Sequence, residues 1–340
     1  MKIGIVFAGQ GAQYPGMGQD LYSHNAAAKE IFDTAGEQIK GWCFEGTKEM
    51  LRQTHITQPS IYTVTMAAYS ALCQAVAEHP EFSETIEIEG IAGFSLGEYC
   101  ALTAANVITD IGLGQEIVSR RGQLMFDAGK DKEGNQRGGM VAAFGKRKDI
   151  CQAAEEAKKD RILAPVNFNS SIQTVVAGEK AALDDFVALC EERRIKAKKL
   201  SVSTAFHSQL MIPAAEALKP ILQEANLQPP TMKIYANVTG RDMMADFAES
   251  GETTAEYLAD LMAKQAMSPV YWQETIENMI ADGVEAFIEV GPGHTLSGLI
   301  KKVSRKAVTM NVENMETLEK TMEKLSELVN AGETTTTKEA

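Results

Sequence analysis

The sequence predicts an α/β protein in which a small α/β unit interrupts a larger one. Two observations lead there. Short apolar runs of strand character alternate with longer amphipathic stretches, and residues 139 to 202 hold in order a strand, a helix, two strands, a helix and a strand. A third observation, the lack of any internal repeat, sets aside solenoids and propellers. With 340 residues, 44% of them hydrophobic, the chain can bury a substantial core in one large domain or about two.

The first strand is "KIGIVF" (2–7), a continuous apolar run that leads into the glycine-bearing loop "AGQGAQYPGMG". Helical spacing of apolar residues follows in "HNAAAKEIFDTAGEQI" (24–39) and in "QPSIYTVTMAAYSALCQAVAEH" (58–79). "IEIEGIAG" (86–93) is a second strand, and "LGEYCALTAANV" (96–107) begins the helix after it. The interrupting unit reads strand "GMVAAFG", helix "KDICQAAEEAKKD", strand "ILAPVNF", strand "QTVVAG", helix "KAALDDFVALCEERR" and strand "AKKLSVS". That βαββαβ order is the ferredoxin-like arrangement. The expected division is a discontinuous large domain of residues 1–130 and 203–315, a subdomain of residues 131–202, and a C-terminal helix with a frayed tail over residues 316–340, where "GETTTTKEA" is low in complexity.

Composition narrows the function. Every apolar stretch is far shorter than the ~20 residues needed to cross a bilayer, and "MKIGIVFAG" lacks the flanks of a signal peptide, so a cytoplasmic location is expected. Cys43, Cys73, Cys100, Cys151 and Cys190 are scattered, odd in number and free of CxxC spacing, which suggests reduced thiols and neither a disulfide frame nor a zinc site. A net charge of −13 argues against nucleic acid or a membrane surface as the main partner. An acidic partner would need a local basic patch. Arg193, Arg194, Lys196, Lys198 and Lys199 form one candidate and Lys301, Lys302 and Arg305 another; a solvated face explains each equally well.

The chemistry centres on "GFSLGEY" (93–99), between a strand and a helix. Glycines at both ends of Gly93-Phe94-Ser95-Leu96-Gly97 remove the Cβ atoms that would collide in so abrupt a turn, which pushes Ser95 out at a helix N-terminus. The backbone N–H of Leu96 then points at the space before the hydroxyl and can stabilise an oxyanion. The same pentapeptide also fits a plain strand–helix turn with a capping serine. A serine nucleophile needs a base. Of the five histidines, His24 and His79 lie at polar helical positions, His55 in a loop before a helix, and His294 in the glycine-rich "GPGHTLSG", where a strand–helix connection accounts for it. His207, in "SVSTAFHSQLM", follows the last strand of the interrupting unit, a usual place for site residues, although a structural histidine would look the same. No orienting carboxylate can be picked out. Arg120 and Arg121 are adjacent in "IGLGQEIVSRRGQLMFDAG", so about 100° apart on a helix, and only one can face a site.

These residues carry a resemblance that spans nearly the whole chain. "FAGQGAQYPGMG", "GFSLGEYCAL", "RRGQLM", "NFNSSIQTVVAG", "TAFHS", "KQAMSPVYW" and "EVGPGHTLSGL" occur in the order and spacing of malonyl-CoA:acyl-carrier-protein transacylases and the related acyltransferase domains of polyketide synthases. The resemblance implies a large α/β-hydrolase-like domain with the ferredoxin-like insertion. It implies Ser95 as the acylated nucleophile and His207 as its base, oriented by a backbone carbonyl near Gln265, with N–H groups of Gln10 and Leu96 as the oxyanion hole. Arg121 would grip the malonyl carboxylate, and Phe206 would fill the space an α-methyl group needs. Malonyl-CoA and acyl carrier protein are the implied partners of an expected monomer, with no metal or redox cofactor. The sequence departs from the family at Phe94, where histidine is usual, at Ala8, where proline is common, and at Ser171, where "NSP" is usual. An esterase or thioesterase would share Ser95 and His207 without needing Arg121, a polyketide acyltransferase shares every motif, and a non-enzymatic carrier-binding module would leave Ser95 as a cap.

Overall fold

The computed structural model describes residues 1–202 and 204–336 of the chain. Its strands are β1 (Lys2–Phe7), β2 (Glu87–Gly93), β3 (Gly138–Phe144), β4 (Leu163–Ser170), β5 (Gln173–Glu179), β6 (Lys196–Lys199), β7 (Ile234–Tyr235), β8 (Ala286–Val290) and β9 (Val308–Val312). The mixed α/β architecture expected from the alternation of runs is present. β1 lies at the centre of a parallel sheet of order β7-β2-β1-β8-β9. Its continuous apolar sequence suits that position, because a parallel strand is covered by helices on both faces.

The second sheet is antiparallel, of order β4-β5-β3-β6. Successive side chains of β3 point to opposite faces and enter different cores. Val141 and Ala143 meet Ile150, Ala153 and Phe186 from the helices Arg147–Lys158 and Lys180–Glu192. Met140 and Ala142 join a cluster with Met125, Phe206, Leu210 and Ala266, which come from outside this unit. That seam fixes the position of the segment carrying His207. A second tie runs from β4, where Phe168 N–H donates to the Val270 carbonyl and Val270 N–H to that of Val166, at 2.9 and 2.7 Å.

Several elements differ from the sequence reading. The helix expected over 24–39 is two, Ala26–Ala35 and Glu37–Glu45, because Gly36 adopts φ 87° and ψ 166°, a region open essentially to glycine alone. The helix expected to begin at Gln58 begins at Thr54 and runs to Ala77 with Pro59 inside it, so His55 lies in a helix, its ring 4.7 Å from that of Phe126, and not in a loop. The last strand of the small unit ends at Lys199, before the expected 203, and Ser203 itself falls outside the described residues. The C-terminal helix continues from Met315 to Thr336; the remaining residues of the expected tail lie outside the described ones. Among the described residues no helix is long and apolar enough to cross a membrane.

Two glycines test this account by contrast. A Cβ at Gly36 would meet nothing within 4 Å, whereas at Gly97 it would overlap the Phe7 carbonyl oxygen, which belongs to rigid backbone of β1. Gly36→Ala should therefore cost only conformational strain, about 1–3 kcal/mol. Gly97→Ala should cost more, because strand and helix must separate. Urea unfolding midpoints of the two variants check the order.

Candidate active site

β2 ends at Gly93 and the helix Gly97–Ala104 begins four residues later. A Cβ at Gly93 would overlap the backbone of Gly97, so the two glycines let strand and helix touch. Ser95 takes φ 53°, an uncommon value for a residue with a side chain, and the neighbouring bonds hold it there. Its N–H donates to Asn237 Oδ1 at 2.7 Å, while Asn237 Nδ2 donates to the Gly93 carbonyl at 2.6 Å. Asn237 therefore clamps both sides of the turn.

The structure brings Ser95 and His207 together across 112 residues of chain, with Ser95 Oγ 2.7 Å from His207 Nε2. His207 Nδ1 lies 3.0 Å from the carbonyl oxygen of Gln265 and 3.1 Å from that of Ser268. Carbonyl oxygens only accept, so Nδ1 carries the proton and Nε2 is left as acceptor for the serine hydroxyl. This is why no orienting carboxylate was legible: two main-chain carbonyls do that work. Burial, followed by the Arg121 charge, lowers the imidazole to about 4 against the pull of those two bonds.

Of the adjacent arginines, Arg120 pairs with Glu116 at the surface and Arg121 turns inward, 1% exposed. Arg121 donates to Gln58 Oε1 at 2.8 Å, to Gln265 Oε1 at 3.0 Å and to Ser95 Oγ at 3.3 Å, and its guanidinium lies 5.1 Å from the centre of the Tyr99 ring. No carboxylate of the described residues is within ion-pair distance of it, and its Nε has no partner. Burial lowers its pKa, and the neighbouring Tyr99 and Glu98 oppose that. Glu98, equally buried, accepts from Asn237 N–H at 3.1 Å and from Gln265 Nε2 at 3.0 Å. Burial pushes its carboxyl up to about 7 despite those donors.

Among the described residues no acceptor takes the N–H of Gln10 or of Leu96. Gln10 lies in the loop after β1, and with Gly9, Gly11, Ala12 and Phe94 it lines a cavity of about 190 Å³ whose far wall includes Asn167 and Asn169. Both asparagines are buried with unpartnered Oδ1 atoms and both line this cavity, in a stretch of β4 whose register against β5 is irregular between Phe168 and Ser170. Phe94 packs against Trp272, ring centres 5.2 Å apart. Phe206 is buried in the seam cluster beside His207. His294 precedes the helix Thr295–Val303 as its N-cap residue, and His24 and His79 are exposed partners of Asp20 and Glu81. Gln58, Glu98, Asn237, Asn167 and Asn169 were not singled out from sequence. Only Glu98 carried a signal, an acidic residue inside an otherwise apolar helix start.

A hydroxyl bonded to a neutral imidazole, with a buried cation alongside, is the equipment of serine-dependent acyl transfer. The relatives agree. The family model of the acyl transferase domain matches residues 5–336, and the chain belongs to that family. It is 34% identical over 333 residues to the malonyl CoA-acyl carrier protein transacylase of Bacillus subtilis (strain 168), covering 96% of this chain and 98% of the relative. It is 36% identical over 318 residues to the enzyme of that name from Haemophilus influenzae, covering 91% and 95%. The solved malonyl CoA-acyl carrier protein transacylase of Clostridium perfringens superposes with a TM-score of 0.86 at 33% identity, covering 98% of this chain and 100% of that one.

The depressed His207 value gives a test. A base is available above its folded pKa and is lost as pH falls through it. Labelling of Ser95 by a neutral fluorophosphonate should therefore stay level from about pH 8 to about pH 5 and fall as pH approaches about 4. A half-maximal rate near the ordinary imidazole value of 6.5 would contradict the neutral, desolvated imidazole described here.

Proposed function

We propose that the protein moves a malonyl group from malonyl-CoA to the phosphopantetheine thiol of an acyl carrier protein, supplying extender units for fatty-acid synthesis. The observation that carries this reading is Arg121: a buried cation held only by amide oxygens, a hydroxyl and an aromatic face, beside the candidate nucleophile. Keeping such a charge unpaired costs several kcal/mol, which an incoming carboxylate offsets. A malonyl thioester has that carboxylate, and a simple fatty acyl ester lacks it.

In the first half-reaction Ser95 Oγ attacks the thioester carbonyl carbon while its proton passes to His207 Nε2. The N–H groups of Gln10 and Leu96 receive the oxyanion. The carbon–sulfur bond then breaks, and the proton on His207 leaves with CoA as its thiol. In the second half-reaction the carrier thiol gives its proton to His207 and attacks the malonyl-serine ester, and Ser95 Oγ departs with that proton. This is ping-pong transfer. Each oxyanion donor contributes about 3 kcal/mol to lowering the barrier. The cavity walled by Asn167 and Asn169 has free amide oxygens suited to the amide N–H groups of a pantetheine arm. Phe206, beside the base, is assigned to exclusion of an α-methyl group. Lys48, Arg52 and Lys198 line a cleft of about 420 Å³ that also reaches Gln10, and they offer positive charge to the phosphate end of either thiol.

The two sheets support a finer reading of the fold. We take the antiparallel unit, with its βαββαβ order, as a ferredoxin-like subdomain of residues 131–202 inserted in an α/β-hydrolase-like domain of residues 1–130 and 203–315.

Brief exposure to malonyl-CoA should leave one malonyl adduct, on Ser95, in the intact-mass spectrum, and holo acyl carrier protein should discharge it. An adduct that persists in Ser95→Ala would sink the mechanism. Arg121→Ala should lower malonyl transfer by ~2–5 kcal/mol, roughly thirty- to several-thousand-fold, while acetyl-CoA reacts as well as before or better. Parallel loss of both substrates would mark a damaged fold, and malonyl transfer at the wild-type rate would overturn the role given to Arg121 and with it the main argument against a simple esterase.

A further inference from the structure

Arg121 needs to stay charged, oriented and unpaired, and the residues around it show how that is done. The side-chain amide of Gln265 lies between Arg121 and Glu98. Its oxygen accepts from Arg121 at 3.0 Å, and its nitrogen donates to Glu98 Oε2 at 3.0 Å and to the Ser95 carbonyl at 2.7 Å. An ionised carboxylate only accepts hydrogen bonds, so Glu98 permits one orientation of that amide: nitrogen toward itself, oxygen toward the guanidinium. Were the amide turned over, an N–H group would face Arg121 and an oxygen would face two other oxygens. The second oxygen of Glu98 accepts from the Asn237 N–H, the residue whose side chain clamps the turn at Ser95. Glu98 makes no ion pair with Arg121, so the cation keeps its capacity for a substrate.

We propose that Glu98 is a positioning residue for charged-acyl specificity: acting through the Gln265 amide, it holds Arg121 in place as a remote counter-ion without occupying it. The inference rests on the reading of Arg121 as the acyl carboxylate's partner. Alternative roles make different predictions. A Glu98 that merely filled space would leave acyl selectivity alone. A Glu98 that acted only as a negative charge near the substrate carboxylate would oppose malonyl binding, and its removal would raise malonyl preference.

The test compares kcat/KM for malonyl-CoA and for acetyl-CoA at about pH 8, above the carboxyl's value of about 7, in wild type, Glu98→Gln, Gln265→Met and the double variant. Fluorophosphonate labelling of Ser95 reports an intact nucleophile and base. The malonyl-to-acetyl ratio should fall roughly ten- to a hundredfold in Glu98→Gln, the worth of one hydrogen bond to a charged group. It should fall similarly in Gln265→Met and little further in the double variant, because both act on one contact. Glu98→Asp, which keeps an acceptor-only group, should recover part of the loss. An unchanged or raised ratio in folded Glu98→Gln overturns the proposal, as does a double variant whose losses multiply. If Glu98→Gln does not fold, an unchanged ratio in Gln265→Met overturns it alone. A wild type that never prefers malonyl would instead overturn the reading of Arg121.

Discussion

A guanidinium buried with no carboxylate against it is the most demanding constraint in this fold, and the surroundings of the site are built around it. Arg121 comes from the helix Ile111–Ala128, Gln58 from the helix Thr54–Ala77, Gln265 from the helix Thr254–Gln265 and Tyr99 from the helix after the turn. Four helices thus converge on one cation. Amide oxygens and an aromatic face solvate it without neutralising it, which leaves its charge for something that enters from outside.

The same arrangement limits the charge states open to Ser95 and His207. With Arg121 close to the imidazole, a second positive charge on His207 is disfavoured, and burial adds to that effect. A neutral imidazole follows, able to accept from Ser95. A carboxylate behind His207 would pull its pKa the other way and would compete for Arg121. Main-chain carbonyls of Gln265 and Ser268 orient the ring without adding a full charge. Gln265 therefore meets the His207 imidazole through its backbone and the Arg121 cation through its side chain, which couples the two halves of the site through one residue.

Much of this was legible in the sequence, and what was not has physical reasons. The alternation of strand and helix, the order of elements between residues 138 and 199 and the Gly93–Gly97 turn were readable because they rest on local spacing and on steric need at named positions. Arg121 was separable from Arg120 only through its family motif, since helical geometry says that one faces inward and not which. The break at Gly36 was missed because apolar spacing continued across it, while its φ depends on how two helices pack. Asn237 and Gln58 were invisible for another reason: each matters through a partner tens of residues away in the chain, and a single polar residue carries no periodicity. The partnership of the two sheets, which places His207 against Ser95, is likewise a matter of long-range packing.

The central claim is that an unpaired buried arginine selects an acyl group bearing a carboxylate. Its most direct measurement is competition on the unmodified protein, with equimolar malonyl-CoA and acetyl-CoA, brief exposure and intact mass of the acyl-enzyme. The account predicts that the malonyl adduct on Ser95 predominates, and that its excess shrinks as added free malonate occupies the same guanidinium. Equal adducts, or a malonyl excess untouched by malonate, would contradict it.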